Sequence, residues 1–309
     1  MLAFIFPGQG SQTVGMARDL YEGSPGARAL LDELAAALDF PLLELMFEGP
    51  AEELTRTEHA QPALLAHSVA VCHLLVEAGV RPDALAGHSL GEYTALVAAG
   101  CLAPTEAAKL VRLRGQYMAE AGRATGGTMA AVLGLEPEAL AAAIEPAREV
   151  GVVCLANLNA PGQVVISGEE PAVQRASELA SSAGAKRVLP LNVSGAFHSP
   201  LMAPAAEKLG LALNQVALTD AAIPVVSNVD AMPRTSSADI RAALLAQLTG
   251  AVRWHDCIVK LVEMGVTDFV EVGPGKVLTG MLRRAVPEAR ALNADTLESI
   301  GATVAALQS

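Results

Sequence analysis

Aromatic residues are scarce in this chain, at 3% of 309 positions, with one Trp, three Tyr and six Phe. Large rings therefore cannot fill the interior. The 52% hydrophobic content has to be packed mainly by Ala, Leu and Val, which favours close-packed helices on a sheet. Positive charge is short as well: 21 Lys and Arg stand against 33 Asp and Glu, a formal net charge of −12. That excludes general affinity for nucleic acid or anionic lipid, because both draw on summed positive charge. Cysteine is sparse and scattered. Cys72, Cys101, Cys154 and Cys257 show none of the short paired spacings of zinc or redox sites, and read as reduced, mostly buried thiols of a cytoplasmic protein. The longest apolar stretch, "ALLAHSVAVCHLLV" (63 to 76), is shorter than a bilayer requires and carries two histidines, so a buried helix is expected and no membrane partner. The opening "MLAFIFPGQG" enters a strand-like segment with no basic leader.

The length suits one large α/β domain or two unequal ones, and a core that needs no disulfides. Four short apolar runs end in turn chemistry: "LAFIFPG" (2 to 8), "DALAGHS" (83 to 89), "PVVSNV" (224 to 229) and "DFVEVGP" (268 to 274). Helical sequence separates them, which is the pattern of a mostly parallel sheet covered on both faces, with ligands at the strands' carboxyl ends. Between about 127 and 193 the order changes to β-α-β-β-α-β, the ferredoxin-like arrangement. The expected organisation is a large hydrolase-like α/β domain, 1–125 with 195–309, interrupted by a small ferredoxin-like domain, 126–194. A cleft between them follows, and binding sites favour such interfaces.

Gly87-His88-Ser89-Leu90-Gly91 fits G-x-S-x-G, in which a serine sits on a tight strand-to-helix turn with its hydroxyl pushed outward. The same glycines would also suit a plain helix N-cap. The flanking sequence favours the nucleophile, since a strand-like run precedes Ser89 and the helical "LGEYTALVAAG" follows. The helix N-terminus would offer the Leu90 N–H to an oxyanion.

Of six histidines, His59, His67, His73 and His255 read as structural or surface groups, and His88, next to the serine, is a poor base because strand neighbours point to opposite faces. His198, in "NVSGAFHSP", lies where the inserted domain returns to the larger one, beside the inferred cleft. A triad would need an acid as well. Glu169 and Asp256 are available but lie in no distinctive loop; a backbone carbonyl orienting the ring is the alternative.

Two glycine-rich loops resemble nucleotide motifs and fail them. "PGQGSQ" has Thr13 where a dinucleotide loop needs its third glycine, and its better use is to bring the Gln9 N–H to a substrate as a second oxyanion donor. "EVGPGKVLTG" has Val270 and Val277 at positions a phosphate-binding loop requires to be Gly and Ser or Thr.

Arg114 is the most informative charge. In "PTEAAKLVRLRGQYMAEAG" the apolar face runs through Ala107, Leu110, Val111, Met118 and Ala121, and Arg114 falls in its middle, whereas Arg112 projects sideways and is expected to be solvated. A guanidinium there requires an anionic partner, either an internal carboxylate or a substrate's, which arginine can hold bidentately.

Together "FPGQGSQ", "HAQPALLAHSVAV", "GHSLGEYTALVAAG", "LVRLRGQYM", "NLNAPGQVVISG", "VSGAFHSPLMAPA" and "EVGPGKVLTG" closely resemble the malonyl-CoA:acyl carrier protein transacylase family over nearly the whole chain, in order. The resemblance implies Ser89 as nucleophile, His198 as general base and acid, and the Gln9 and Leu90 N–H groups as oxyanion hole. It implies that Arg114 holds the malonyl carboxylate and that the main-chain carbonyl of Gln247, in "LLAQL", orients the histidine. It further implies that Asn157 and Asn159 meet the pantetheine region and that Phe197 goes with malonyl preference. No metal or redox cofactor is implied. The partners would be a coenzyme A thioester and, transiently, an acidic acyl carrier protein, with the enzyme a monomer. Lys186 with Arg187, and Lys276 with Arg283 and Arg284, are the candidate docking cations. A serine esterase or thioesterase, an acyltransferase for another acyl-CoA in a polyketide pathway, and an inactive carrier-binding scaffold are the alternatives.

Overall fold

The four apolar runs become neighbouring strands of one sheet. In chain order, the strands of the computed structural model, which describes residues 1–308, are β1 (Leu2–Phe6), β2 (Ala84–Gly87), β3 (Gly127–Leu133), β4 (Val153–Ala160), β5 (Gln163–Glu169), β6 (Arg187–Pro190), β7 (Val225–Val226), β8 (Pro233–Arg234), β9 (Asp268–Val272) and β10 (Arg290–Ala294). The large sheet has the order β10-β9-β1-β2-β7-β8, parallel from β10 to β7, with β8 antiparallel at one edge. All four residues of β2 and the last four of β1 are buried, as expected of central parallel strands covered on both faces. The two edge strands lack that signal: β10, "RALNA", is only partly buried, and β8 is two residues long and begins with proline. The "PVVSNV" run pairs only at Val225 and Val226; the residues after it leave the sheet.

The β-α-β-β-α-β segment forms its own four-stranded sheet in the order β4-β5-β3-β6, every neighbouring pair antiparallel. Period-two alternation divides its side chains between two cores. Ala130 and Val132 of β3, with Val164 and Ile166 of β5, pack on helices Pro137–Ile144 and Glu170–Ser182. Met129 and Val165, on the opposite face, join the main core. The small sheet is thus fastened to the large unit by the face that also reaches the functional site.

Two helices carry that site from the other side. Helix Thr57–Glu77 contains the long apolar stretch; it is long and apolar enough to cross a membrane, but 78% of its apolar window is buried inside the protein. Helix Pro104–Thr125 carries Arg114. Gly115 lets the two helices touch, since a Cβ there would come within 2.6 Å of the Glu58 Cα. About two turns later Gly122 faces Gly195, where a Cβ on either would strike the other's backbone. Those glycines set the distance between the arginine helix and the loop that bears His198.

Candidate active site

The site starts from a strained turn. Ser89 sits between β2 and helix Gly91–Ala98 with φ +51°, a left-handed conformation that costs a non-glycine residue roughly 1–2 kcal/mol. The glycines on either side are sterically required: a Cβ on Gly87 would lie 1.9 Å from the Gly91 carbonyl carbon, and one on Gly91 would lie 2.1 Å from the Phe6 carbonyl oxygen. Asn228, just beyond β7, holds the turn from both ends. Its Oδ1 accepts the Ser89 N–H at 2.7 Å and its Nδ2 donates to the Gly87 carbonyl at 2.8 Å.

His198 approaches from the loop after β6, 4% exposed and also in a left-handed conformation, φ +55°. Its Nδ1 is 2.9 Å from the main-chain carbonyl of Gln247 and its Nε2 is 2.7 Å from Ser89 Oγ. A carbonyl can only accept, so Nδ1 carries the proton and Nε2 is left to accept the serine O–H. Burial, followed by the facing Arg114 charge, pushes the histidine pKa down to about 3, so the ring is neutral at pH 7. Among the described residues no carboxylate bonds the ring; the Gln247 carbonyl holds it instead, and Glu169 and Asp256 are engaged with other groups. Glu169 bonds the Val152 N–H and Asp256 pairs with Arg253. His88 is tied elsewhere, its Nε2 donating to Asn159 Oδ1 at 2.8 Å.

Arg114 is 1% exposed and aimed at the nucleophile. Nη2 donates to Ser89 Oγ at 3.1 Å and to Gln247 Oε1 at 2.9 Å, while Nη1 donates to Gln61 Oε1 at 2.7 Å. All three partners are neutral, and among the described residues no Asp or Glu forms an ion pair with it. Burial lowers its pKa from the ordinary value, yet a guanidinium stays protonated at any working pH. A buried charge held by neutral partners alone is costly, and an anion brought to the cavity would offset that cost. Arg112 departs from expectation. It is 13% exposed rather than solvated, pairing with Asp39 at 2.9 Å, donating to the Glu58 carbonyl and lying 4.5 Å over the Phe40 ring.

These groups meet in a cavity of about 120 Å³ lined by Gln9, Ser89, Arg114, Met129, Phe197 and His198, among others. Ligand pockets commonly reach about 300–1,000 Å³, so this one admits the end of a substrate and leaves the bulk outside. The loop after β1 closes one side: Gly8 is pressed against His88, where a Cβ would lie 2.5 Å from the carbonyl oxygen, and Gln9 Oε1 accepts from Thr57 Oγ1 at 2.8 Å. Among the described residues, the N–H groups of Gln9 and Leu90 donate to no protein acceptor, as an oxyanion site requires. The structure separates the two asparagines: Asn157 lines the cavity, whereas Asn159 does not and is held on His88.

Residues 3–304 match the model of the acyl transferase domain. The chain belongs to the acyl transferase domain family. It is 53% identical over 284 residues to the malonyl CoA-acyl carrier protein transacylase of Bacillus subtilis, covering 92% of this chain and 90% of the relative. A solved acyl carrier protein S-malonyltransferase from Vibrio cholerae superposes with a TM-score of 0.95 at 44% identity, over 98% of this chain and 99% of that one. A malonyl-transacylase solved in complex with a holo acyl-carrier protein of a type II PKS gives the same TM-score at 42% identity, over 99% of both chains.

Three residues of this acyl transferase domain's site escape sequence reasoning. Asn228 falls in a run that reads as strand, Gln61 in one that reads as an apolar helix. Glu92 had a usable signal: it is the one charged residue in the otherwise uncharged "GEYTALVA", the same anomaly that marks Arg114. Glu92 is 2% exposed; its Oε2 accepts from the Asn228 N–H at 3.0 Å and from Gln247 Nε2 at 2.8 Å, and burial raises its pKa from the usual carboxylate value.

Proposed function

We propose that this chain carries a malonyl group from malonyl-CoA to the phosphopantetheine thiol of an acyl carrier protein by way of a malonyl ester on Ser89, a cytoplasmic step of fatty-acid synthesis. The observation that carries this reading is Arg114, a buried cation without an acidic partner among the described residues, 3.1 Å from the hydroxyl that would bear the acyl group. A serine esterase would have no use for it. Neutral His198 takes the Ser89 proton as Oγ attacks the thioester carbon, and the oxyanion rests on the N–H groups of Gln9 and Leu90. Collapse expels the CoA sulfur, which leaves with the proton from His198. The carrier's thiol then gives its proton to His198 and attacks the ester, and Ser89 recovers a proton as the malonyl group departs. In this reading Arg114 grips the free carboxylate through both half-reactions, Gln247 orients the imidazole, and Phe197 and Asn157 border the acyl and pantetheine path. Every step uses side chains and N–H groups of this chain, with no metal or cofactor.

The same reading divides the chain into a large unit, 1–125 with 195–309, and an inserted one, 126–194. The cavity draws its wall from both: Met129, Asn157, Leu191 and Val193 from one, Gln9, Ser89, Arg114 and His198 from the other. For docking, the candidate cations regroup. Lys186, Arg187 and Arg284 surround one groove of about 490 Å³, while Lys276 and Arg283 line another beside helix Leu297–Gln308. The first groove begins at Leu133, four residues along β3 from Met129 of the cavity, about 13 Å at the rise of a strand. An extended pantetheine arm bridges such a distance, so we assign the first groove to the acidic partner.

Mass measurement of the intact protein tests the reading. Malonyl-CoA alone is expected to leave one malonyl group on the peptide containing Ser89, and holo carrier protein to remove it. Rapid release of free malonate that carrier protein does not accelerate would favour a thioesterase, and the absence of any adduct would favour a scaffold.

A further inference from the structure

Gln247 lies at the centre of the site and touches three of its parts. Its carbonyl accepts from His198 Nδ1, its Oε1 accepts from Arg114 Nη2 at 2.9 Å, and its Nε2 donates to the Ser89 carbonyl at 3.0 Å. A glutamine amide is symmetric in shape and can rotate by half a turn, which would point an NH₂ group at the guanidinium. Something must fix its sense. Besides the Ser89 carbonyl, Nε2 meets Asn228 Oδ1 at 3.3 Å and Glu92 Oε2 at 2.8 Å; Glu92 is the nearest of the three and the one carboxylate among them, and the same oxygen takes the Asn228 N–H at 3.0 Å. Two donors on one oxygen leave it no role except acceptor.

We infer that Glu92 is a positioning residue for acyl selection: through the Gln247 amide it fixes the direction in which Arg114 presents its guanidinium to the substrate carboxylate. The chain of bonds has one polarity. Arg114 donates to Gln247 Oε1, and the amide's other end donates to Glu92. Glu92 also accepts from the backbone of Asn228, whose side chain clamps the Ser89 turn, so a single buried carboxylate keeps the fork and the nucleophile in register. The carboxylate bonds neither Ser89 nor Arg114, although the Glu92 backbone N–H donates to the Ser89 carbonyl at 3.2 Å, and it takes no part in bond making. Its effect is therefore on which acyl group is held, and this inference rests on the malonyl-transfer reading above.

The experiment compares Glu92→Ala, Glu92→Gln and Gln247→Leu with wild type, each loaded from malonyl-CoA and from acetyl-CoA and corrected for folded protein by circular dichroism. Glu92→Ala and Gln247→Leu are expected to lower the malonyl-to-acetyl loading ratio about tenfold, the scale of a lost hydrogen bond to a charged group, with malonyl KM rising more than kcat falls. Glu92→Gln keeps an oxygen for the same two donors and is expected to stay within about twofold of wild type. Equal loss for both acyl groups in Glu92→Ala, or an unchanged ratio, would overturn the inference, as would a Glu92→Gln variant no better than Glu92→Ala. If Glu92→Ala does not fold, an unchanged ratio in Gln247→Leu overturns it. A wild-type protein that takes no malonyl group would instead remove the underlying reading.

Discussion

Two strand-to-helix turns of this molecule begin alike and end differently. The turn after β2 passes Ser89 and Leu90 into helix Gly91–Ala98; the turn after β9 passes Gly273 and Gly275 into helix Val277–Ala285. Both are glycine-rich, both leave a central parallel strand at its carboxyl end, and both present helix N-terminal N–H groups, the geometry that binds anions. In the second the protein supplies its own anion. The carboxylate of Glu271, buried on β9, accepts from the N–H groups of Leu278 and Thr279 at 3.0 and 2.7 Å. In the first the Leu90 N–H has no acceptor among the described residues and a hydroxyl stands beside it. The glycine pattern sets the shape of such a turn, and whether it becomes a site depends on whether the fold has already filled it.

The largest expected effect comes from emptying the open turn. Ser89→Ala should reduce malonyl transfer by a factor on the order of 10⁶, the scale seen when a serine nucleophile is removed; a labelled protein in the mass spectrum of this variant would show that the nucleophile lies elsewhere. The pH response of the same turn comes next. With its pKa lowered from 6.5 to about 3, His198 is neutral in the folded state and binds a proton more readily once unfolded. Its contribution to stability is thus present above about pH 6.5 and lost as pH falls toward about 3, and His198→Gln should flatten that part of an acid denaturation curve. The acid limb of kcat/KM should likewise lie well below 6.5, where a limb at or above that value would contradict the burial argument. Filling lost from the closed turn is a smaller matter: Glu271→Ala should cost about 1–3 kcal/mol in urea unfolding, because two buried donors lose their acceptor, while malonyl transfer per folded molecule stays unchanged. A loss of transfer with no loss of stability would mean the two turns are not independent.

Much of this was legible from residues alone, and the parts that were not have physical reasons. The central strands showed themselves because strands buried on both faces are continuously apolar; β10 and β8 did not, because edge strands need no such run. Arg114 was visible as a charge on an apolar stripe, and Glu92 carried the same mark in a shorter helix where no stripe could be drawn. Arg112 misled, since a guanidinium lying on Phe40 and reaching a carbonyl of another helix is buried by tertiary contacts that helical phase cannot foretell. Asn228 and Gln61 are neutral residues whose importance arises only from what lies opposite them.

The central claim is that Arg114 selects the cargo, and one comparison tests it most directly: acyl-enzyme formation by Arg114→Ala with malonyl-CoA and with acetyl-CoA, measured side by side with wild type. Malonyl loading should fall by the equivalent of about 2–5 kcal/mol, the scale of truncating one partner of a buried charge pair, while acetyl loading changes far less. An equal fall for both acyl groups would contradict the account.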